Sequence, residues 1–187
     1  MTPAIRSRVW RVIEGSRDKR STVHEARASA AARHPVCFFP NVTDDELQQV
    51  RNVASTVRAA LEKCGPDSGL PSLKDFPRES CADAVLLLGA RLDDLGLGPF
   101  DAVGGEFSLD HDDRRSHAWL EGRGILVDIT ADQFPDVSDP VLVTRDPSWH
   151  RRFHETNRGV ADFRHYGPDA HAELGVVYDC IREELDR

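Results

Sequence analysis

The stretch Ser116–Thr130, SHAWLEGRGILVDIT, decides the fold because its alternating pattern predicts two strands joined by a tight turn. We predict a two-residue type II′ turn at Gly122 and Arg123, in which His117 lies directly opposite Asp128. Opposed side chains project from one face of a hairpin with Cβ atoms about 4.5–5.5 Å apart. The register thus brings an imidazole beside a carboxylate. A four-residue loop would keep this pairing, and a three-residue loop or a bulge would offset it by one.

Upstream of the hairpin, Ser80–Gly96 predicts a helix capped by Ser80, with Cys81 in its first turn. Its apolar residues surround most of the helix, which is typical of a central helix. A strand is predicted at Phe100–Phe107, before the hairpin, and another at Val141–Thr144, after it. A helix followed by antiparallel strands indicates the α+β class, with the central helix packed on the sheet.

The flanking segments complete a single predicted domain of residues 1–187 with its core at about 44–145. Thr43 and Glu46 form a capping-box pattern that predicts a helix from about Asp44 to Lys63. Residues 1–40 are predicted to be a helical extension. Residues 147–187 are predicted to be a C-terminal helical segment that ends in a helix from about Asp169 to Leu185.

Charge and hydropathy indicate which partners and which compartment to expect. The formal net charge of −8 argues against binding to a phosphate backbone, so no nucleic-acid partner is expected. The longest apolar run, Ala84–Ala90, is too short to span a bilayer, and the N-terminus lacks the apolar core of a signal peptide. We therefore predict a cytoplasmic protein with no membrane association.

The four cysteines are Cys37, Cys64, Cys81 and Cys180. Their wide spacing lacks any metal-ligand pattern and argues against a disulfide framework. Each is then either a small buried apolar residue or a reactive thiol. The first turn of a helix favours a thiolate through its unpaired N–H groups and its dipole, so Cys81 is the candidate nucleophile, with a buried structural cysteine as the alternative.

His117 and Asp128 form the complementary half of such a site. A carboxylate that accepts from one imidazole nitrogen holds the other nitrogen toward a nucleophile. The alternative interpretation is an incidental surface salt bridge.

The residues from Phe76 to Pro135 resemble the core of the transglutaminase-like superfamily, which is related to papain. The resemblance rests on Cys81 at a helix start, then His117-Ala-Trp-Leu-Glu121 on one strand and Asp128-Ile-Thr130 on the next. It implies that Cys81 is the nucleophile, His117 the general base and then acid, and Asp128 the residue that orients the imidazole. Without a glutamine upstream in the papain manner, the Cys81 N–H is the expected oxyanion donor.

Other residues have two interpretations each. Trp119 shares the face of His117 and either walls a cleft or belongs to the core, and Gln133 either lines the cleft mouth or is an ordinary turn residue. The acidic loop Asp110–Asp113 favours a solvated loop over a cation site, because it lacks EF-hand spacing. His150 and His154 lack the glutamate of a zinc motif and are interpreted as a polar helix face. No metal or cofactor is predicted.

These features predict a cysteine-dependent acyl-transfer enzyme that acts on an amide or ester through a thioester. The substrate would be a peptide, a protein or a small-molecule amide. Hydrolysis, as in a protease, amidase or deamidase, is slightly favoured over a transglutaminase-like transfer to an amine, because a short hairpin gives no sign of a deep site that excludes water. The alternatives are a non-catalytic binding module that retains the fold and, more weakly, a metal-dependent hydrolase that uses Asp110–Asp113.

Overall fold

The computed structural model describes residues 41–108 and 114–185. The predicted helical extension at 1–40 and the acidic loop Asp110–Asp113 lie outside the described residues. The described helices are α1 (Asp44–Cys64), α2 (Cys81–Asp94) and α3 (Pro168–Leu185). The described strands are β1 (Asp101–Ser108), β2 (Arg114–Gly122), β3 (Ile125–Asp128), β4 (Leu142–Thr144) and β5 (His154–Val160).

The strands form one antiparallel sheet in the order β4-β3-β2-β1-β5. The α+β class is therefore confirmed, as are the strands predicted in β1 to β4 and the helices predicted in α1 to α3. The capping box is present, since Glu46 N–H donates to Thr43 Oγ1 and Thr43 N–H donates to Glu46 Oε2. Within the described ranges, none of the helices has both the length and the apolar character needed to cross a bilayer.

The prediction of a turn at Gly122 and Arg123 is wrong. Gly122 pairs with Ile125, so the central residues are Arg123 and Gly124, with φ values of 51° and 77°. Positive φ at both central positions is the signature of a type I′ turn, which suits the twist of a hairpin. Gly122 is small for another reason: a Cβ there would lie 2.9 Å from the Pro99 carbonyl oxygen. The register is shifted by two residues, so His117 and Asp128 share a face but are not directly opposed.

The prediction that residues 147–187 are a helical segment is wrong for its first half. Residues His154–Val160 form β5, which pairs with β1 at the edge of the sheet. The pairing shifts at Gly104 and Gly105, where a bulge interrupts the ladder. His150 and His154 therefore share no helix face, because His150 lies in a short 3-10 turn and His154 begins the strand.

Two apolar clusters cover the two faces of the sheet. The larger cluster joins the three helices to Ala118, Leu120 and the other residues of that face. A smaller cluster on the opposite face contains Trp119, Phe134 and Phe153. Alternation along β2 sends His117 and Trp119 to the second face. Cys81, at the start of α2, packs at the margin of the larger cluster.

The prediction that the Ser80 side chain caps α2 is also wrong. Its hydroxyl donates to the carbonyl oxygens of Ser72, at 2.7 Å, and Arg78, at 2.9 Å, and accepts from no helix N–H. Ser80 is fully buried. Its side chain therefore holds the segment that enters the helix and does not cap the first turn.

A disulfide joins Cys64, the last residue of α1, to Cys180 in α3. The argument against disulfides is thus wrong for this pair. It rested on sequence spacing, and these cysteines are 116 residues apart but are brought together where α1 packs against α3. Among the described cysteines, Cys81 is the free thiol, and it is partly exposed.

Candidate active site

Cys81, His117 and Asp128 are brought together by three elements of the fold. Cys81 begins α2, His117 lies in the middle of β2, and Asp128 ends β3. Cys81 lies near enough to the His117 ring to contribute to the rise in the pKa of His117.

The imidazole of His117 is oriented by Asp128. His117 Nε2 lies 2.6 Å from Asp128 Oδ2, and both side chains are fully buried. Because Nε2 faces the carboxylate, Nδ1 is the nitrogen available to the thiol. Thr130 holds the other carboxylate oxygen, since its N–H donates to Asp128 Oδ1 at 2.9 Å and its hydroxyl at 3.3 Å. The incidental surface salt bridge considered from the sequence is therefore wrong.

The electrostatics of the pair favour its charged forms. Burial alone would lower the pKa of His117, but the charge and hydrogen bond of Asp128, assisted by Cys81, raise it to about 10. Burial alone would raise the pKa of Asp128, but the charge and hydrogen bond of His117 and a hydrogen bond from His150 hold it well below its usual range. An imidazolium between a carboxylate and a thiol is the state that stabilises a thiolate.

His150 is a site residue that the sequence did not indicate. Its Nε2 lies 2.9 Å from Asp128 Oδ2, the same oxygen that accepts from His117, and its side chain is 2% exposed. No sequence motif or residue spacing indicates this contact. His150 follows β4 in the chain and is brought to Asp128 by the 3-10 turn before β5.

A metal is the other arrangement that such a cluster could hold. Ligand atoms of His117, Asp128 and His150 lie within 4.8 Å of one another, the one such group in the described ranges. A tetrahedral ion bound at about 2.0–2.2 Å would hold its ligand atoms roughly 3.3 Å or more apart. The observed separations of 2.6 and 2.9 Å are those of charge-assisted hydrogen bonds. The cluster is therefore a hydrogen-bonded network around one carboxylate.

Trp119 belongs to the core on the His117 face. It is 5% exposed, and its ring centroid lies 6.1 Å from that of His117 and 5.0 Å from that of His150. Gly105, which pairs with His117 in the sheet, makes room for this packing, since a Cβ there would lie 2.8 Å from Phe153 Cβ. The position matches the core interpretation of Trp119, whose ring packs near both histidines.

Gln133 lies beside the available nitrogen of His117. Its Nε2 is 3.3 Å from His117 Nδ1 and donates to the Thr130 carbonyl oxygen at 2.9 Å. The residue is half-buried in the 3-10 turn that follows β3. The side chain therefore lies against the nitrogen of His117 that faces away from Asp128.

Arg58 of α1 anchors the segment that follows Asp128. Its guanidinium donates to the Ile129 carbonyl oxygen at 2.6 Å and to both Asp132 carboxylate oxygens at 2.8 and 2.9 Å. It also lies over the Phe76 ring, 4.8 Å from the centroid. Arg58 thus ties α1 to the chain on both sides of the site, next to α2 and next to β3.

The raised pKa of His117 predicts a pH-dependent stability. A folded-state pKa above the unfolded value of about 6.5 means that the folded chain holds more protons between pH 6.5 and 10, so the free energy of unfolding falls as pH rises through that window. The slope cannot exceed about 1.4 kcal/mol per pH unit for one group. Urea unfolding of Cys81→Ala removes the thiol's own titration and its share of the rise, and so measures the slope that Asp128 supplies. The same slope in Cys81→Ala/His117→Gln would contradict the assignment.

Comparison of the chain with protein-family models, with curated proteins and with solved structures gave no match, so the geometry described above carries the functional argument.

Proposed function

We propose that this protein is a cysteine-dependent acyl-transfer enzyme in which Cys81, His117 and Asp128 act as a catalytic triad on an amide or ester. The observation that carries the proposal is the buried His117 ring, which is hydrogen-bonded at Nε2 to Asp128 and has Cys81 near enough to raise its pKa. This is the arrangement of nucleophile, base and orienting group that thiol catalysis requires. It is also the arrangement expected of a transglutaminase-like site.

The first step forms a thioester. The Cys81 sulfur attacks the substrate carbonyl carbon, and the bond from that carbon to the leaving nitrogen or oxygen breaks. The imidazolium of His117 gives its Nδ1 proton to the leaving group, which departs as an amine or alcohol. Asp128 keeps the imidazole in the tautomer that points Nδ1 at the reacting atoms.

The second step releases the acyl group. His117, now neutral, takes a proton from water as the water oxygen attacks the thioester carbon, and the bond from that carbon to sulfur breaks. The products are a carboxylic acid and the Cys81 thiolate beside the imidazolium of His117. Cys81 is partly exposed, which supports water as the acceptor. Transfer to an amine would require a site that excludes water. In both steps the carbonyl oxygen carries negative charge in the tetrahedral intermediate. We propose that it binds the Cys81 N–H at the start of α2, and that Gln133 lines the substrate site beside it.

The test is the reactivity of Cys81 toward iodoacetamide as a function of pH, in a Cys37→Ser background that leaves Cys81 as the titrated thiol. We expect alkylation well below the range around pH 8.5 in which ordinary thiols ionise. Alkylation that follows the ordinary range would contradict the proposal and favour the non-catalytic binding module.

A second measurement reports on the covalent chemistry itself. With p-nitrophenyl acetate we expect a burst of p-nitrophenol equal to the enzyme concentration, together with an acetyl group on the peptide that contains Cys81. Cys81→Ala should give neither signal. Chelator should leave the burst unchanged, since metal dependence would instead support a metal-dependent hydrolase.

A further inference from the structure

We propose that His150 is a positioning residue for the catalytic pair: it holds the Asp128 carboxylate in the orientation that keeps His117 aimed at Cys81. This role rests on the proposed function and adds a fourth member to the site. The observation behind it is the shared acceptor, because the two histidines donate to the same carboxylate oxygen.

The ring of His150 is fixed by its surroundings. It lies in the 3-10 turn His150–Arg152, where the Phe153 N–H donates to the His150 carbonyl oxygen at 3.0 Å. The Trp149 and Trp119 rings pack against it, with centroids 4.8 and 5.0 Å away. A ring held between two tryptophans cannot turn without disturbing the second apolar cluster, so its N–H direction is set before any substrate binds.

The carboxylate that His150 contacts is fully partnered. Asp128 Oδ2 faces His117 and His150, and Oδ1 accepts from the N–H and hydroxyl of Thr130. Rotation of the carboxylate about its Cβ–Cγ bond would break the contacts of both oxygens at once. Without His150, Oδ2 would keep one partner, and that partner is the ring that must stay aligned for catalysis.

The contact also defines the form of His150 that the site holds. Because Asp128 is an acceptor, His150 carries a proton on Nε2. Its Nδ1 is buried and, within the described ranges, has no hydrogen-bond partner. His150 therefore contacts the site through Nε2 alone and serves there as a donor to Asp128.

Two effects of removing His150 oppose each other. The loss of a donor leaves more of the Asp128 charge for His117, which would favour the imidazolium and the thiolate. The loss of the orienting contact frees the carboxylate to turn away from His117, which would disfavour them. We expect the loss of the orienting contact to have the larger effect. The 2.6 Å hydrogen bond between His117 and Asp128 is buried, and its strength depends on alignment.

The experiment compares His150→Gln with His150→Asn in the Cys37→Ser background. A glutamine amide nitrogen reaches the place of the ring Nε2, whereas an asparagine amide stops near the place of Nδ1 and cannot reach Asp128. At pH 5 we expect Cys81 of His150→Gln to be alkylated at a rate within about twofold of the rate in the parent protein. We expect His150→Asn to be slower by about tenfold or more, the order of one hydrogen bond to a charged group.

Two controls separate positioning from folding. His150→Phe keeps an aromatic ring between the tryptophans without a donor and should match His150→Asn, while His154→Gln, at an exposed neighbouring position, should leave the rate unchanged. In addition, the imidazole ¹⁵N spectrum should show that His150 carries a proton on Nε2. Rescue by glutamine is an outcome that a purely structural role would not produce.

The outcomes are distinct. Equal or faster alkylation of His150→Asn and His150→Phe, with folds intact by circular dichroism, would overturn the positioning role and leave the proposed function standing. A His150 ring without a proton on Nε2 would overturn the role in the same way. Inertness of the parent Cys81 at pH 5 would overturn the proposed function and, with it, this role.

Discussion

Replacement of His117 by glutamine is expected to slow alkylation of Cys81 at pH 5 by about 30-fold or more. The glutamine amide nitrogen can still donate to Asp128, so the buried carboxylate keeps a partner, but no base remains to face the thiol. At pH 5 only about 0.03% of an ordinary thiol is ionised, so a fully ion-paired thiol has up to about 3000 times more thiolate. The lower nucleophilicity of a less basic thiolate reduces this advantage by up to about 100-fold.

The matched control is His154→Gln, which makes the same exchange at an exposed position of β5. It should alkylate at the parental rate. Rates are measured by mass spectrometry of the peptide that contains Cys81, in the Cys37→Ser background. If His117→Gln, folded by circular dichroism, is alkylated as fast as the parent, His117 does not activate Cys81.

Reduction of the Cys64–Cys180 disulfide is expected to lower the free energy of unfolding by about 4–5 kcal/mol. The bond closes a loop with a sequence separation of 116 residues, and the chain-entropy model assigns about 4.7 kcal/mol to a 100-residue loop. Loss of the bond frees the unfolded chain more than it changes the packed helices. Urea unfolding with and without a phosphine reductant measures the difference.

The double variant Cys64→Ala/Cys180→Ala provides the control for this effect. It should unfold with the stability of the reduced parent, apart from the small cost of trimming two side chains, and reductant should not change it. A shift of less than about 1 kcal/mol on reduction of the parent would show that the link contributes little beyond the packing of α1 on α3.

Local patterns in the sequence were sufficient for the helices and most of the sheet. The capping box at Thr43 and the alternation around His117 depend on neighbours within a few residues, which periodicity and turn chemistry describe. The strand β5 was not predicted because its exposed residues are mostly polar, and the residue that it buries most is Asn157. An edge strand of this composition has no apolar alternation to reveal it.

The prediction that His117 and Asp128 share a face holds because the error in the predicted register is an even number of residues. The hairpin register is wrong by two residues, and because side chains alternate with a period of two, the His117 and Asp128 side chains still project from one face. A shift by one residue would have sent them to opposite faces. The contacts of His150 with Asp128 and of Cys64 with Cys180 join residues far apart in the chain, and no local pattern encodes them.

Through the guanidinium of Arg58, helix α1 contacts the candidate site, although α1 contains none of the three proposed catalytic residues. Three of the hydrogen bonds of Arg58 fix Ile129 and Asp132, which lie within four residues of Asp128, and its aromatic contact reaches Phe76, five residues before Cys81. Arg58 thus contacts both the segment that follows Asp128 and the segment that precedes Cys81. If the proposed function is right, substitutions at Arg58 should lower activity along with those at Cys81, although Arg58 supplies no reactive group.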